Sequence, residues 1–269
     1  VMDRLTRQYD GYRFTKDEEF TSMYNPFSVL SALQKRSYGN YWFASGTPTF
    51  LVEMLQKTDF DLREMEGIEV NEASLSDDRA DINNPIPMIY QSGYLTIKDY
   101  DERFRMYTLG FPNEEVKYGF LNFVSPFYTP IAQTDTSFYI GKFIRELESG
   151  DVDAFLTRLR CFFAGIPYDL NDRTERHYQT VFYLVFQLMG QFTETEVRSA
   201  RGRADAVVKT PDYIYVFEFK LNDSAEAALR QIDEKGYLLP YQADGRKVVK
   251  VGVAFEKEER NIGEWMIGG

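Results

Sequence analysis

Apolar residues recur at two periods along this chain, and the period separates strand from helix. Between Gly202 and Lys220 the apolar runs are short and β-branched or aromatic: Ala206-Val207-Val208, then Tyr213-Ile214-Tyr215-Val216-Phe217. The intervening Thr210-Pro211-Asp212 reads as a turn, so the segment predicts two strands joined tightly. Val248–Phe255 is almost continuously apolar, as in a buried parallel strand, and Trp265-Met266-Ile267 predicts a last short strand. Helical spacing appears elsewhere. Tyr178, Phe182, Val185 and Met189 form one stripe and predict a helix over about Arg173–Gly190. Further helices are expected over Ser137–Glu148, over Val152–Ala164 behind an Asp151 cap, and over Ala225–Tyr237.

The first half reads differently. Asn25 as cap and Pro26 at the first helical position predict a helix to about Arg36. Tyr41-Trp42-Phe43-Ala44 reads as a buried strand. Thr47 and Pro48 open another helix, with Phe50, Leu51, Met54 and Leu55 at helical spacing. Residues 59–84 are acidic and polar. A short helix from residue 86, a strand Gly93–Ile97, a turn Lys98–Glu102 and a strand Arg103–Leu109 make a winged-helix-like unit. Its wing carries Asp99, Asp101 and Glu102, which suits packing or protein contact better than DNA. The composition changes around Pro126–Thr136, so two domains are expected, 1–128 and 129–269. The fold class is α/β (α+β mixed): a helical, winged-helix-like N-terminal part, then an α/β core with a mixed sheet.

Charge and cysteine usage narrow the chemistry. The net charge is −11, but from Glu175 onward 13 Lys/Arg face 15 Asp/Glu, while the rest holds 18 against 27. The acidity therefore lies mostly outside the C-terminal segment, and bound cations would tolerate what remains there. Cys161 is the single cysteine and His177 the single histidine, which excludes an intrachain disulfide and a multi-histidine or cysteine zinc site. Cys161, within Leu159-Arg160-Cys161-Phe162-Phe163, is expected to be a buried small hydrophobe. No run approaches the ~20 apolar residues of a membrane helix. The opening Val1-Met2-Asp3-Arg4 has no signal-peptide pattern. A cytoplasmic protein with no membrane partner is expected. No G-x-x-x-x-G-K-[ST] loop occurs, so the chain holds no ATP site.

The candidate chemistry sits on the hairpin. Successive strand side chains point to opposite faces, so Glu218 and Lys220 share a face, and the hairpin can bring Asp205 beside Glu218. Charges on an apolar strand cost several kcal/mol, roughly, unless paired. Two carboxylates with a nearby ammonium suit a divalent cation and developing charge on a phosphate. The alternative is a solvated Glu–Lys pair at a strand end, with Asp205 closing a turn.

This arrangement resembles the PD-(D/E)XK nuclease superfamily. Asp205 stands for the family Asp and Glu218-Phe219-Lys220 for (D/E)-x-K, with Ala204 where the family has Pro. The resemblance implies a restriction-endonuclease-like core and a metal-dependent nuclease that hydrolyses DNA phosphodiester bonds. Asp205 and Glu218 would hold Mg²⁺ or Mn²⁺. Lys220 would stabilise transition-state charge rather than act as general base. Glu175 looks like the Glu on the first core helix that completes the metal site; alternatively Asp172-x-x-Glu175 is a capping box. Gln231 resembles a Gln that faces the active site, together with Tyr237; the alternative is a solvated helix face. The first half resembles the downstream part of bacterial AAA-ATPase-like proteins fused to such nucleases. That resemblance is carried by Tyr9-Asp10-Gly11-Tyr12, Tyr24-Asn25-Pro26-Phe27-Ser28, Tyr41–Pro48, Tyr90–Leu95 and Leu109–Val116. It implies an upstream ATPase part as partner. A catalytically silent nuclease-fold module acting in protein–protein or regulatory binding is the alternative function.

Overall fold

The computed structural model describes residues 2–17, 21–45, 51, 54–55, 60–75, 84–129, 132–166, 175–197, 205–221, 223–256, 258–259 and 261–269. The chain divides into two compact units, Val1–Leu121 and Asn122–Gly269. The composition change at Pro126–Thr136 falls a few residues after that division.

The first unit is helical around a small sheet. Helices α1 (Met2–Tyr9) and α2 (Pro26–Lys35) are followed by a 3₁₀ turn, Trp42–Ser45. Strand β1 (Ile68–Asn71), the short helices α3 (Glu72–Leu75) and α4 (Ile86–Gln91), then β2 (Thr96–Asp101), β3 (Met106–Gly110) and α5 (Glu114–Val124) complete the order. The sheet is antiparallel in the order β1-β3-β2. A short helix followed by a hairpin is the order of elements expected over this stretch. Leu51 and Leu55 are helical and buried, as their spacing implies. The Thr47–Pro48 start of that helix lies outside the described residues.

Asn25 caps α2: its side chain accepts from the Ser28 amide at 3.2 Å, with Pro26 at the first helical position. Asn25→Ala leaves that amide unsatisfied and is expected to cost about 1 kcal/mol. The check is the chemical-denaturation midpoint of the two proteins.

Three expectations for this unit need correction. Tyr41–Ala44 is not a strand. Trp42 begins the 3₁₀ turn, and its amide donates to Glu115 Oε1 at 3.0 Å. A side-chain acceptor thus replaces a neighbouring strand. The hairpin also starts later than its composition suggests. Gly93 takes a φ of +80° and Tyr94 N donates to Ile89 O at 3.1 Å, so residues 92–94 close α4 and are unavailable to β2. β1 lies within the acidic stretch, where only Val70 of its four residues is buried.

The second unit begins with α6 (Thr136–Glu148), α7 (Val152–Ala164) and α8 (Glu175–Met189). Next come β4 (Glu194–Val197), β5 (Ala206–Lys209), β6 (Tyr213–Leu221), α9 (Ala225–Glu234), β7 (Lys247–Glu256) and β8 (Asn261–Gly268). The sheet order is β4-β5-β6-β7-β8. β6 and β7 run parallel and the other pairs antiparallel, so the sheet is mixed. β4 was not anticipated, and β8 is longer than Trp265–Ile267.

β6 divides the two layers by parity. Its odd residues face the α6–α8 layer. Phe217 lies 5.7 Å from Phe155 and 5.2 Å from Phe186 between ring centroids, and Phe219 lies 4.2 Å from Phe182. The Tyr215 hydroxyl donates to Leu147 O at 2.6 Å, tying the end of α6 to the strand. The even residues Ile214 and Val216 pack instead with Val207 and with Ile232 and Tyr237 from the α9 side. Helices therefore cover both faces of one mixed sheet. Cys161 corrects the remaining expectation. It is exposed, because the buried stripe of α7 runs through Val152, Phe155, Leu156, Leu159, Phe162 and Phe163 and leaves position 161 on the solvent side.

Candidate active site

Parity continues to the C-terminal end of β6. Glu218 and Lys220 follow Val216 on the face that α9 covers. β5 pairs antiparallel with β6 through Ala206↔Phe217 and Val207↔Val216. The next step of that register sets Asp205 beside Glu218, on the face that Val207 shares. α9 crosses this face, and from it Gln231 reaches both members of the Glu-x-Lys pair.

The polar contacts form a closed set. Lys220 Nζ donates to Glu218 Oε1 at 3.1 Å and to Gln231 Oε1 at 2.5 Å. The Gln231 side-chain amide also donates to Glu218 Oε1. Its Nε2 lies 3.5 Å from the Tyr237 hydroxyl. The Phe219 backbone amide donates to Asp205 Oδ2 at 2.8 Å. Glu218 is 2% exposed, and among the described residues its buried Oε2 meets no hydrogen-bond donor.

Burial and mutual repulsion both act on these carboxyls. Desolvation, and then the Asp205 charge, push Glu218 up to about 7, with Lys220 and the Asp205 amide pulling the other way. Desolvation also raises Asp205, offset by the Phe219 amide and the Lys220 charge. Two carboxyls are thus poised at the cost of their own ionisation, which is the condition in which an added cation gains most.

The donor set suits a hard divalent cation. Its carboxylates offer oxygen ligands, one of them a buried oxygen that meets no donor among the described residues. Among the described residues no group of three His, Cys, Asp or Glu side chains converges. Two carboxylates are nonetheless the usual protein share for Mg²⁺, which keeps water and substrate oxygens in its remaining positions.

Of the residues singled out in the sequence, Asp205, Glu218, Lys220 and Gln231 come together. Glu175 is the first residue of α8, on the helical layer that packs against the odd face of β6. Its side chain lies outside the described residues, as does its capping partner Asp172. Sequence reading did not find the Phe219 amide, because a main-chain donor carries no residue signature. It also passed over Glu264, whose Oε1 accepts from the Ala225 amide at the start of α9 at 3.1 Å. The available signal was Gly252, a lone glycine in a valine-rich strand.

Comparison with known proteins bears on the same segment. Residues 173–265 match the sequence profile of a family described as the PD-(D/E)XK nuclease superfamily. A protein of Azotobacter chroococcum mcd 1, described as an uncharacterized protein in the vnfD 5' region, is 32% identical over 269 residues. The alignment covers 97% of this chain and 51% of that protein, so the chain spans about half the relative's length. No solved structure matches the chain. No helix among the described residues is long and apolar enough to cross a membrane. By its matching sequence profile, and with the mixed sheet between α8 and α9, the segment 173–265 carries a domain of the PD-(D/E)XK nuclease superfamily.

Proposed function

We propose that this domain is a metal-dependent nuclease that hydrolyses phosphodiester bonds of DNA. One observation carries the reading: Asp205 and Glu218 meet on one sheet face, beside Lys220, with both carboxyls held above their ordinary range by burial. Asp205 and Glu218 would hold Mg²⁺ or Mn²⁺, with Glu175 as a further ligand. Bound there, the cation would polarise the scissile phosphate and lower the pKa of an attacking water. Lys220 projects its ammonium beside the carboxylates and stabilises negative charge that develops on the phosphate. Gln231 holds both Lys220 Nζ and Glu218 Oε1, which fixes the ammonium relative to the carboxylate. The upstream ATPase-like partner rests on the sequence resemblance of residues 1–128 alone, and with it the idea that ATP gates the nuclease. A cytoplasmic location suits DNA as substrate.

The test is cleavage of single- and double-stranded DNA with Mg²⁺ or Mn²⁺, comparing the chain with Lys220→Ala. Removing one preorganised charge stabiliser is expected to lower the rate by about 10²–10³-fold. Cation binding, followed by calorimetry, should persist in the variant, because both carboxylates remain. A folded wild-type chain that neither cuts DNA nor binds either cation overturns the proposal in favour of a silent binding module. Binding without cutting points to gating by a partner.

A further inference from the structure

Gln231 reaches Glu218 from a helix whose first turns lie close against the sheet. The helix face turned to the strands is small, with Ala225 and Ala228 fully buried. The strand beneath it is small too. In the parallel register Glu218 sits opposite Gly252 and Lys220 opposite Ala254. Both small residues therefore lie on the α9 face, in the same two rows as the charged pair. A Cβ at Gly252 would run into the Ala225 carbonyl oxygen and would come within 3.0 Å of the Leu229 amide nitrogen and Cγ. Two of those three atoms are backbone, so no rotamer change relieves them. A second contact fixes the same turn. Ala254 pairs with Glu264 of β8, and Glu264 Oε1 accepts from Ala225 N at 3.1 Å.

We infer that Gly252 and Glu264 are positioning residues: together they seat the first turns of α9 on β7 and β8 and thereby hold Gln231 against Glu218 and Lys220. Neither residue touches the reacting atoms. A methyl group at 252 would have to lift or slide the helix by roughly 1 Å to reach normal contact distance. The contacts that Gln231 makes, including 2.5 Å to Lys220 Nζ, would not survive such a shift. The inference about geometry stands on the fold alone; its effect on turnover rests on the nuclease reading above.

The experiment uses the ¹H–¹⁵N signal of the Gln231 side-chain amide in the full chain without added metal. In the wild-type protein that amide should exchange slowly with water and resonate away from free glutamine. Gly252→Ala is expected to return it to the position and exchange rate of a solvated glutamine while the backbone spectrum of the sheet persists. DNA cleavage should fall about 10- to 100-fold, the range in which small misplacements act. In a Gln231→Ala background Gly252→Ala should cause no further fall, which a merely structural defect would not reproduce. Should Gly252→Ala fail to fold, Glu264→Leu decides, because it releases the Ala225 amide without adding bulk under the helix. Glu264→Gln, which keeps an acceptor, should behave as wild type. An unchanged Gln231 signal in folded Gly252→Ala, or in Glu264→Leu if the former does not fold, overturns the inference. A shifted signal in a protein whose wild type neither cuts DNA nor binds Mg²⁺ or Mn²⁺ supports the positioning and refutes the nuclease.

Discussion

Glu218→Gln is expected to make the metal-free protein more stable at pH 8 and catalytically dead. The folded state holds the Glu218 proton up to about pH 7, whereas an unfolded chain releases it near the ordinary value of 4.5. Between those limits the folded form binds more protons, so raising the pH favours unfolding. The stability present below about pH 4.5 is lost as pH rises through 7. At about 1.4 kcal/mol per unit, the shift from 4.5 to about 7 caps the loss at about 3.5 kcal/mol well above pH 7. Asp205, also raised, adds in the same direction. A glutamine carries no charge to desolvate and can still accept from Lys220 and Gln231. Part of the gain is offset because Lys220 loses its ion-pair partner. Thermal midpoints followed through Trp265, at pH 5 and pH 8 and in the presence of a chelator, read the effect. The wild-type midpoint should fall between those pH values by more than that of the variant. Parallel curves would show that Glu218 is not held protonated by its site. Adding Mg²⁺ or Mn²⁺ should stabilise the wild type most at high pH, because the cation takes the ionised form, and should leave the variant nearly unaffected.

The second large effect lies one residue away on the opposite face. Phe217 is fully buried, with its ring between Phe155 of α7 and Phe186 of α8. Phe217→Ala removes a ring that packs two helices onto the central strand and leaves a cavity between them. The expected cost is about 4 kcal/mol, a large share of the stability of an ordinary domain. Urea denaturation should show a lowered midpoint with an unchanged slope. Phe217→Leu, which keeps an apolar side chain of intermediate size, should lose less, about 1–2 kcal/mol. A small loss for alanine would mean that α7 and α8 close onto the strand.

Those neighbouring residues also show what could be read from the sequence. The β5–β6 hairpin and its charged residues were legible because period-two alternation fixes which side chains share a face. A Glu-x-Lys on an aromatic strand also needs a physical reason. The same logic gave the helices, whose stripes were plain. Gln231 stayed open, since one polar residue on an amphipathic helix looks the same whether it meets water or a carboxylate. Trp42 was misread because the acceptor for its amide, Glu115, lies 73 residues further along. Cys161 was misread because every neighbour is apolar, and only the angular position of residue 161 on α7 puts it outside. α5 was passed over although Asn113 supplies its cap, the Asn113 side chain accepting from the Val116 amide at 3.1 Å. β1 and β4 have too few buried residues, or too little length, to announce themselves without their partners.

The alternation of β6 also bears on how such a domain would change over generations. Tyr215, Phe217 and Phe219 hold the helices, while Glu218 and Lys220, on the other side, contribute to folding only weakly or adversely. Mutations on the charged side can therefore accumulate without unfolding the protein, and some would leave it sturdier. A lineage released from selection for chemistry would shed Asp205, Glu218 or Lys220 early and keep its aromatic layer.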